Sequence, residues 1–368
     1  MRPLEIYLHI PFCVQKCKYC DFLSAPASSG ERADYVESLC RQIRSYRKLA
    51  EAYHVVSIFI GGGTPSLLET RQMEAITGAL QDTFAIEKDA EFTVEANPGT
   101  LSEEKLKGYR KVGINRLSIG LQSTVDEELV CLGRIHTFEE FLESFCLARD
   151  AGFTNVNVDL MFGIPGQTQK SWERSLRKVA DLGPEHISAY GLIIEEGTPF
   201  YEMYGEQGKE RGLYADRLPG EETEREMYHR TLTILREYGY ERYEISNYAR
   251  PGYACRHNLG YWERREYLGI GLGAASLIGR ERWNQGEEHT LLSKEDEMEE
   301  YMFLGLRKME GVSRKQFALL FGVEMEQVYG DVIRKMQKEN LLEYAGDFVR
   351  LTEFGIDVSN YVMSEFIL

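Results

Sequence analysis

The sequence predicts an α/β protein: a partial (β/α)6 barrel followed by a C-terminal α+β domain of winged-helix type. Three observations lead there. Strand-like and helical segments alternate six times through the first 195 residues. The unusual polar and cysteine residues fall just after the strand ends, where barrels of this kind carry their chemistry. The pattern then changes near residue 296 to helix, helix, hairpin. The division expected is a barrel over 1–220, an extension and connecting segment over 221–295, and the C-terminal domain over 296–368.

The strand candidates are 5–10, 55–60, 91–96, 115–121, 155–162 and 186–193, rich in Val, Ile, Phe and Tyr. Helical segments lie at 31–53, 70–83, 102–111, 137–151 and 169–182, with Thr137 and Glu140 spaced as a capping box. Repetition of this kind produces a parallel sheet with right-handed crossovers. Residues 196–219 read as a long loop, 221–238 as a helix and 240–246 as a strand. The Gly- and aromatic-rich stretch 249–276 reads as irregular backbone. Beyond it come helices at 296–309 and 325–339, a capping box at Ser313 and Gln316, and a hairpin turning at Ala345–Asp347.

Composition narrows the function. Hydrophobic residues at 43% and charged residues at 28% are those of an ordinary globular chain. The net charge of −16 argues against a broad phosphate-backbone interface. The helix at 325–339 mixes Glu326 and Asp331 with Arg334, Lys335 and Lys338, so the winged-helix part is expected to cap the molecule, not to read nucleic acid. The start, MRPLEIYLHIPFC, does not read as a signal peptide, and no run of 18 apolar residues occurs. Seven cysteines, three of them within eight positions, point to a metal site in a reducing compartment, and a cytoplasmic location is expected.

Those three are Cys13, Cys17 and Cys20, in the spacing C-x3-C-x2-C. Three thiolates on one short loop fit three corners of a cubane [4Fe-4S] cluster and leave one iron open. A structural zinc site usually takes four ligands, and no fourth Cys or His follows nearby. Gly61-Gly62-Gly63-Thr64-Pro65 ends the second strand; it is either a tight turn or a place where backbone approaches a small ligand. Glu95, Gln122, Arg134 and Asp159 stand at or beyond strands 3 to 5. Singly each reads as an ordinary polar residue. Together they offer an anion for an ammonium, a cation for a carboxylate and acceptors for ribose hydroxyls, the requirements of S-adenosylmethionine (SAM).

The cysteine loop, the glycine run and the barrel-like alternation resemble the radical SAM superfamily. YLHIPFCVQKCKYCDF (7–22), IGLQS (119–123), LGRIH (132–136) and VDLMFGIPGQT (158–168) resemble its HemN/HemW branch of coproporphyrinogen III dehydrogenases and heme chaperones. The resemblance implies that Cys13, Cys17 and Cys20 hold a [4Fe-4S] cluster. It places Tyr7, Gly62, Gly63, Thr64, Glu95, Gln122, Arg134 and Asp159 against SAM, with Arg134 at the methionine carboxylate and Gln122 and Asp159 at the ribose. Reductive cleavage there would yield methionine and a 5′-deoxyadenosyl radical. The dehydrogenase pattern has a further cysteine where this chain has Phe22, and an extension ahead of the first strand. The string His257-Asn258-x-x-Tyr261-Trp262 resembles one associated with heme binding in the chaperones, making His257 an expected axial ligand, with Cys255 as a thiolate alternative and a hydrogen-bonded core histidine as the plainer reading. His9 is placed near the cluster, and Cys40, Cys131 and Cys146 read as core residues. The resemblance therefore implies a protein that binds heme and passes it to an acceptor, in particular a respiratory-chain component. The alternative is a radical enzyme acting on a tetrapyrrole. A homodimer and a transient approach to a membrane stay open.

Overall fold

The computed structural model describes residues 1–205 and 217–368. Its first six strands are β1 (Arg2–Ile10), β2 (Tyr53–Gly62), β3 (Ala85–Ala96), β4 (Arg116–Gln122), β5 (Val156–Phe162) and β6 (His186–Gly191), paired in that order and all parallel. Helices Ser29–Ser45, Thr70–Thr83, Glu103–Lys111, Phe138–Asp150 and Gln169–Leu182 cross between them. The two-residue period of a strand sorts the side chains. On β1, Leu4, Ile6, Leu8 and Ile10 are fully buried in the main hydrophobic core, while Glu5, Tyr7 and His9 alternate with them onto the concave face. That face also carries buried Ser57, Glu91, Arg116, Ser118, Asn157 and His186, so the barrel interior is polar.

The sheet continues at both edges. β7 (Glu241–Glu244) and β8 (Asn247–Ala249) form a hairpin whose second strand lies antiparallel to β6. β9 (Tyr267–Ile270) lies parallel beside β1, and β10 (Ala275–Ile278), β11 (Glu281–Asn284) and β12 (Thr290–Leu291) extend it antiparallel. The result is a mixed twelve-stranded sheet that does not close.

Helix Lys294–Gly305 leads into the C-terminal part, where β13 (Val312–Ser313), β14 (Leu342–Ala345) and β15 (Phe348–Leu351) form a small antiparallel sheet beside helices Arg314–Phe321 and Met325–Lys338. It has a core of its own around Met302, Phe317, Tyr329 and Phe366.

Several expectations need correction. The segment 249–276 is not irregular: it contains helix Arg256–Trp262 and strand β9. The strand expected over 240–246 is present as β7, and β8 follows it to make a hairpin. A helix, Pro199–Tyr204, occupies part of the expected 196–219 loop, of which 206–216 lie outside the described residues. The helix expected over 31–53 runs from Ser29 to Ser45, breaks at Tyr46 and resumes as a single turn over Arg47–Ala50, and Tyr53 already belongs to β2. At Thr137 both hydrogen bonds of the capping box form. At Ser313 the side chain accepts from the Gln316 amide, but its hydroxyl donates to Asp347 Oδ2 (2.5 Å) across the hairpin turn. Cys146 is exposed, not core. Among the described residues no helix is long and apolar enough to cross a membrane.

Candidate functional site

The loop between β1 and the first helix is fixed by backbone hydrogen bonds. Cys13 N donates to Ala25 O (3.1 Å) and Lys18 N to Leu132 O (2.9 Å). Gly63 N donates to Ile10 O (2.8 Å) and Thr64 N to Phe12 O (2.6 Å), which ties the end of β2 against the start of the loop. A Cβ on Gly63 would lie 2.6 Å from Phe12 O and 2.9 Å from Ile10 O, so the glycine is required by this approach of one backbone to another. The three thiols line one cavity of about 140 Å³ together with Gly62, Gly63, Glu95, Gln122, Arg134 and Asp159. Thr64 joins from the side, its Oγ1 lying 3.5 Å from Cys13 Sγ. Burial raises the Cys20 thiol, and the neighbouring Cys17 and Cys13 add to the shift. Three thiols on one cavity wall fit three corners of a cubane cluster, whereas a structural zinc site takes four ligands.

The polar members of the cavity are buried titratable groups. Glu95 is held by the Gly62 amide (3.1 Å), and desolvation first, then the neighbouring Asp159, pushes its carboxyl up to about 8. Arg134 is buried too. Its guanidinium donates to Gly120 O (2.5 Å), Asn97 Oδ1 (2.8 Å) and Cys17 Sγ (3.7 Å), and among the described residues it has no carboxylate in ion-pair contact. Asp159 accepts from Asn157 Nδ2 (2.8 Å) and Ser118 Oγ (3.3 Å), and burial raises it as well. Gln122 sits at φ 73, a strained value for a residue with a side chain, and accepts from the Tyr190 hydroxyl (2.9 Å). A desolvated carboxyl that a neighbouring ammonium would draw toward ionising, and a desolvated guanidinium with no carboxylate partner among the described residues, are together complementary to a zwitterion. SAM fits such a set.

The sequence did not single out Asn97, Tyr19 or Tyr190. Asn97 bridges Arg134 to Thr64 Oγ1 (2.9 Å), and the two tyrosines line the cavity. Asn97 follows Glu95 in an Asn-Pro turn at a strand end, a signal that could have found it.

Tyr7 and His257 lie elsewhere. With Phe59, Asn258, Tyr261, Tyr267 and Ala275 they line a second cavity of about 280 Å³. Tyr7 also reaches toward the cysteine-lined cavity: its hydroxyl lies 3.1 Å from His9 Nδ1, His9 Nε2 lies 2.8 Å from Leu23 O, and burial, followed by the nearby Glu95, pushes the phenol up. His257 is 1% exposed and stacks on Phe59. Its Nδ1 is 2.8 Å from Ser57 Oγ and its Nε2 is 3.2 Å from the Tyr261 hydroxyl. Burial, with Arg116 and Arg265 nearby, lowers it to about 3, so it is neutral. In this arrangement it is a hydrogen-bonded core histidine, and neither ring nitrogen is free for iron. Cys255 is fully buried and donates to Glu91 Oε1 (3.3 Å), and burial first pushes its thiol up to about 12. Glu91 also accepts the amides of Arg256 (3.0 Å) and His257 (3.1 Å), so a carboxylate from β3 anchors the first turn of helix Arg256–Trp262.

Residues 7–179 match the radical SAM superfamily, and residues 292–358 match the HemN C-terminal domain. Over its full length the chain is similar to the heme chaperone HemW of Lactococcus lactis, at 36% identity, covering 100% of this chain and 98% of the relative. The chain belongs to the HemW family of radical SAM proteins. HemW of Bacillus subtilis is 37% identical, with 98% of both chains covered, and HemW of Escherichia coli is 35% identical, with 96% of both covered. The solved structure of coproporphyrinogen III oxidase (HemN) from Escherichia coli superposes with a TM-score of 0.84 at 23% identity, covering 100% of this chain and 90% of that one, and so shares the fold. The radical SAM match begins at Tyr7 within β1, covers β2 to β5 and ends before β6. Phe22, 59% exposed, stands at the edge of the cysteine-lined cavity.

Proposed function

We propose that this protein is a heme chaperone: it binds heme, keeps a SAM-associated [4Fe-4S] cluster on Cys13, Cys17 and Cys20, and passes the heme to an acceptor protein in the cytoplasm. Likeness to HemW proteins from end to end of the chain carries this reading. The cysteine-lined cavity supports its cofactor half. When bound, the cluster and SAM together supply one-electron chemistry at an iron the protein leaves open. The chain's own residues bind and orient. Arg134 is the group for the methionine carboxylate and Glu95 for the ammonium, while Gln122 and Asp159, fixed by Tyr190 and by Asn157 and Ser118, serve the ribose. Asn97 holds Arg134 and Thr64 at a constant separation. The acceptor we expect is a heme-requiring component of the respiratory chain.

The competing reading is a radical enzyme of the coproporphyrinogen dehydrogenase type, which the complete zwitterion-binding set would also serve. One anaerobic experiment separates them. With the cluster reconstituted and SAM present, the protein should bind hemin with a shifted Soret band and leave coproporphyrinogen III unchanged. Turnover of coproporphyrinogen III at an enzymatic rate would overturn the chaperone.

A further inference from the structure

The inward face of β6 carries His186, Ser188 and Tyr190 at alternate positions. This strand lies beyond the radical SAM match, yet both groups assigned to the SAM ribose are supported from it. Tyr190 reaches Gln122 directly. His186 reaches Asp159 through Asn157, its neighbour in the β5–β6 register.

The direction of every hydrogen bond in this second path is fixed. Asn157 Oδ1 accepts from the backbone amide of Ser188 (3.1 Å), a group that can only donate, so the carbonyl end of the side chain stands there and the NH2 end points the other way. Asn157 Nδ2 donates to Asp159 Oδ1 (2.8 Å) and to Ser118 Oγ (2.7 Å). His186 Nδ1 lies 2.6 Å from Asn157 Oδ1 and therefore carries the hydrogen. His186 is fully buried, and burial, with Arg116 nearby, lowers it well below its ordinary value, so the ring is neutral and its Nε2 accepts. The donor is the Tyr243 hydroxyl (2.8 Å), whose oxygen in turn accepts the Cys255 amide (3.3 Å). From Cys255 N to Asp159 the bonds all point one way, and they end on a carboxylate in the wall of the cysteine-lined cavity.

We propose that His186 and Tyr243 are positioning residues for SAM: acting through Asn157, they hold the Asp159 carboxylate as the acceptor for the ribose hydroxyls. The proposal rests on the cofactor half of the reading above. Hydrogen bonds aligned head to tail polarise one another, and the effect is larger in a buried site than in water. Burial raises the Asp159 carboxyl, and Asn157 is the foremost of the groups that oppose that shift. An ionised carboxylate is an acceptor only, which is what two hydroxyls require, whereas a protonated one has given up part of that capacity. Tyr243 comes from β7, whose backbone also accepts Met309 N (3.0 Å), so this support reaches the barrel from the sheet extension and not from the parallel strands.

The test is calorimetric titration of SAM into the full chain with its cluster reconstituted and no reductant present, so that SAM binds without being cleaved. Tyr243→Phe deletes the hydroxyl and keeps the ring. It should weaken SAM about tenfold in the parent but less than about twofold in an Asp159→Asn background, because the effect passes through that carboxylate. His186→Asn keeps a donor where Nδ1 stands and should bind within about threefold of the parent, whereas His186→Leu removes it and should bind about tenfold more weakly or worse. An unchanged cluster spectrum verifies that each variant is folded. Equal losses from Tyr243→Phe in the two backgrounds, or parental affinity in either Tyr243→Phe or His186→Leu, would overturn the proposal. Failure of the parent itself to bind SAM would instead overturn the cofactor reading beneath it.

Discussion

Glu95 and Gly63 show what single residues contribute. The Glu95 carboxyl is raised from 4.5 to about 8, so the folded protein holds a proton there that the unfolded chain releases. The stabilising contribution of that proton is complete below pH 4.5 and is lost as pH rises toward 8. Glu5, also raised to about 8 chiefly by burial, acts in the same direction. Without SAM, the melting temperature should therefore fall between about pH 5 and pH 8. Glu95→Gln should flatten part of that slope and melt higher than the parent at pH 8. The same variant should bind SAM about tenfold or more weakly, and parental affinity should rise with pH up to about 8, since a neutral carboxyl is a poor partner for an ammonium. Calorimetric titration of both proteins across this range checks the sign. Gly63→Ala, which drives a methyl into Phe12 O and Ile10 O, should lower the iron bound after reconstitution well below three-quarters of the parental content. The cysteine triad and the charged strand ends were legible in the sequence, because strand ends mark the chemical face of a barrel. The place of Tyr7 was not. It is set by pairing with Phe59 on one side and Gly269 on the other, the second contributed by a strand more than 250 residues later.

Secondary-structure elements were legible to the extent that their partners are close in sequence. The parallel units of the first 191 residues repeat a period that needs no distant information. Thr137 and Glu140 likewise form their box within one turn. Helix Arg256–Trp262 had no such local signal. Seven residues containing Gly260, His257 and Trp262 are poor helix formers, and the helix is anchored from outside by Glu91. Gly260 is there for clearance, since a Cβ would come within 2.3 Å of the Glu5 carboxylate. The Ser313 cap makes the same point in reverse: its hydroxyl accepts the Gln316 amide as the sequence suggests, but the group it donates to is Asp347 in the hairpin turn and not the Gln316 side chain. Asp347→Ala should therefore lower C-terminal stability by about 1–2 kcal/mol, seen as an earlier urea transition, while Gln316→Ala should have little effect.

At the scale of the molecule, a winged-helix outline on an acidic chain is reconciled by where it faces. The C-terminal part lies along the barrel edge, where Val312, Phe321 and Phe348 share the lining of a groove of about 800 Å³ with Trp262 and Arg264. Charge alone led to the expectation of a cap but could not indicate which surface it would complete, because that depends on ion pairs such as Arg264–Glu300 (2.8 Å) and Arg242–Glu353 (2.8 Å) between segments far apart. The two parts are also joined through backbone. Ile245 N donates to Arg307 O (3.2 Å) and Met309 N to Tyr243 O (3.0 Å), so the β7–β8 hairpin forms a bridge with the segment after helix Lys294–Gly305, and Tyr228 packs against both cores. Heat should find no seam to open first. Scanning calorimetry should record one endotherm whose van't Hoff and calorimetric enthalpies agree, and trimming the chain before residue 292 should yield an aggregating remnant, not a smaller functioning barrel.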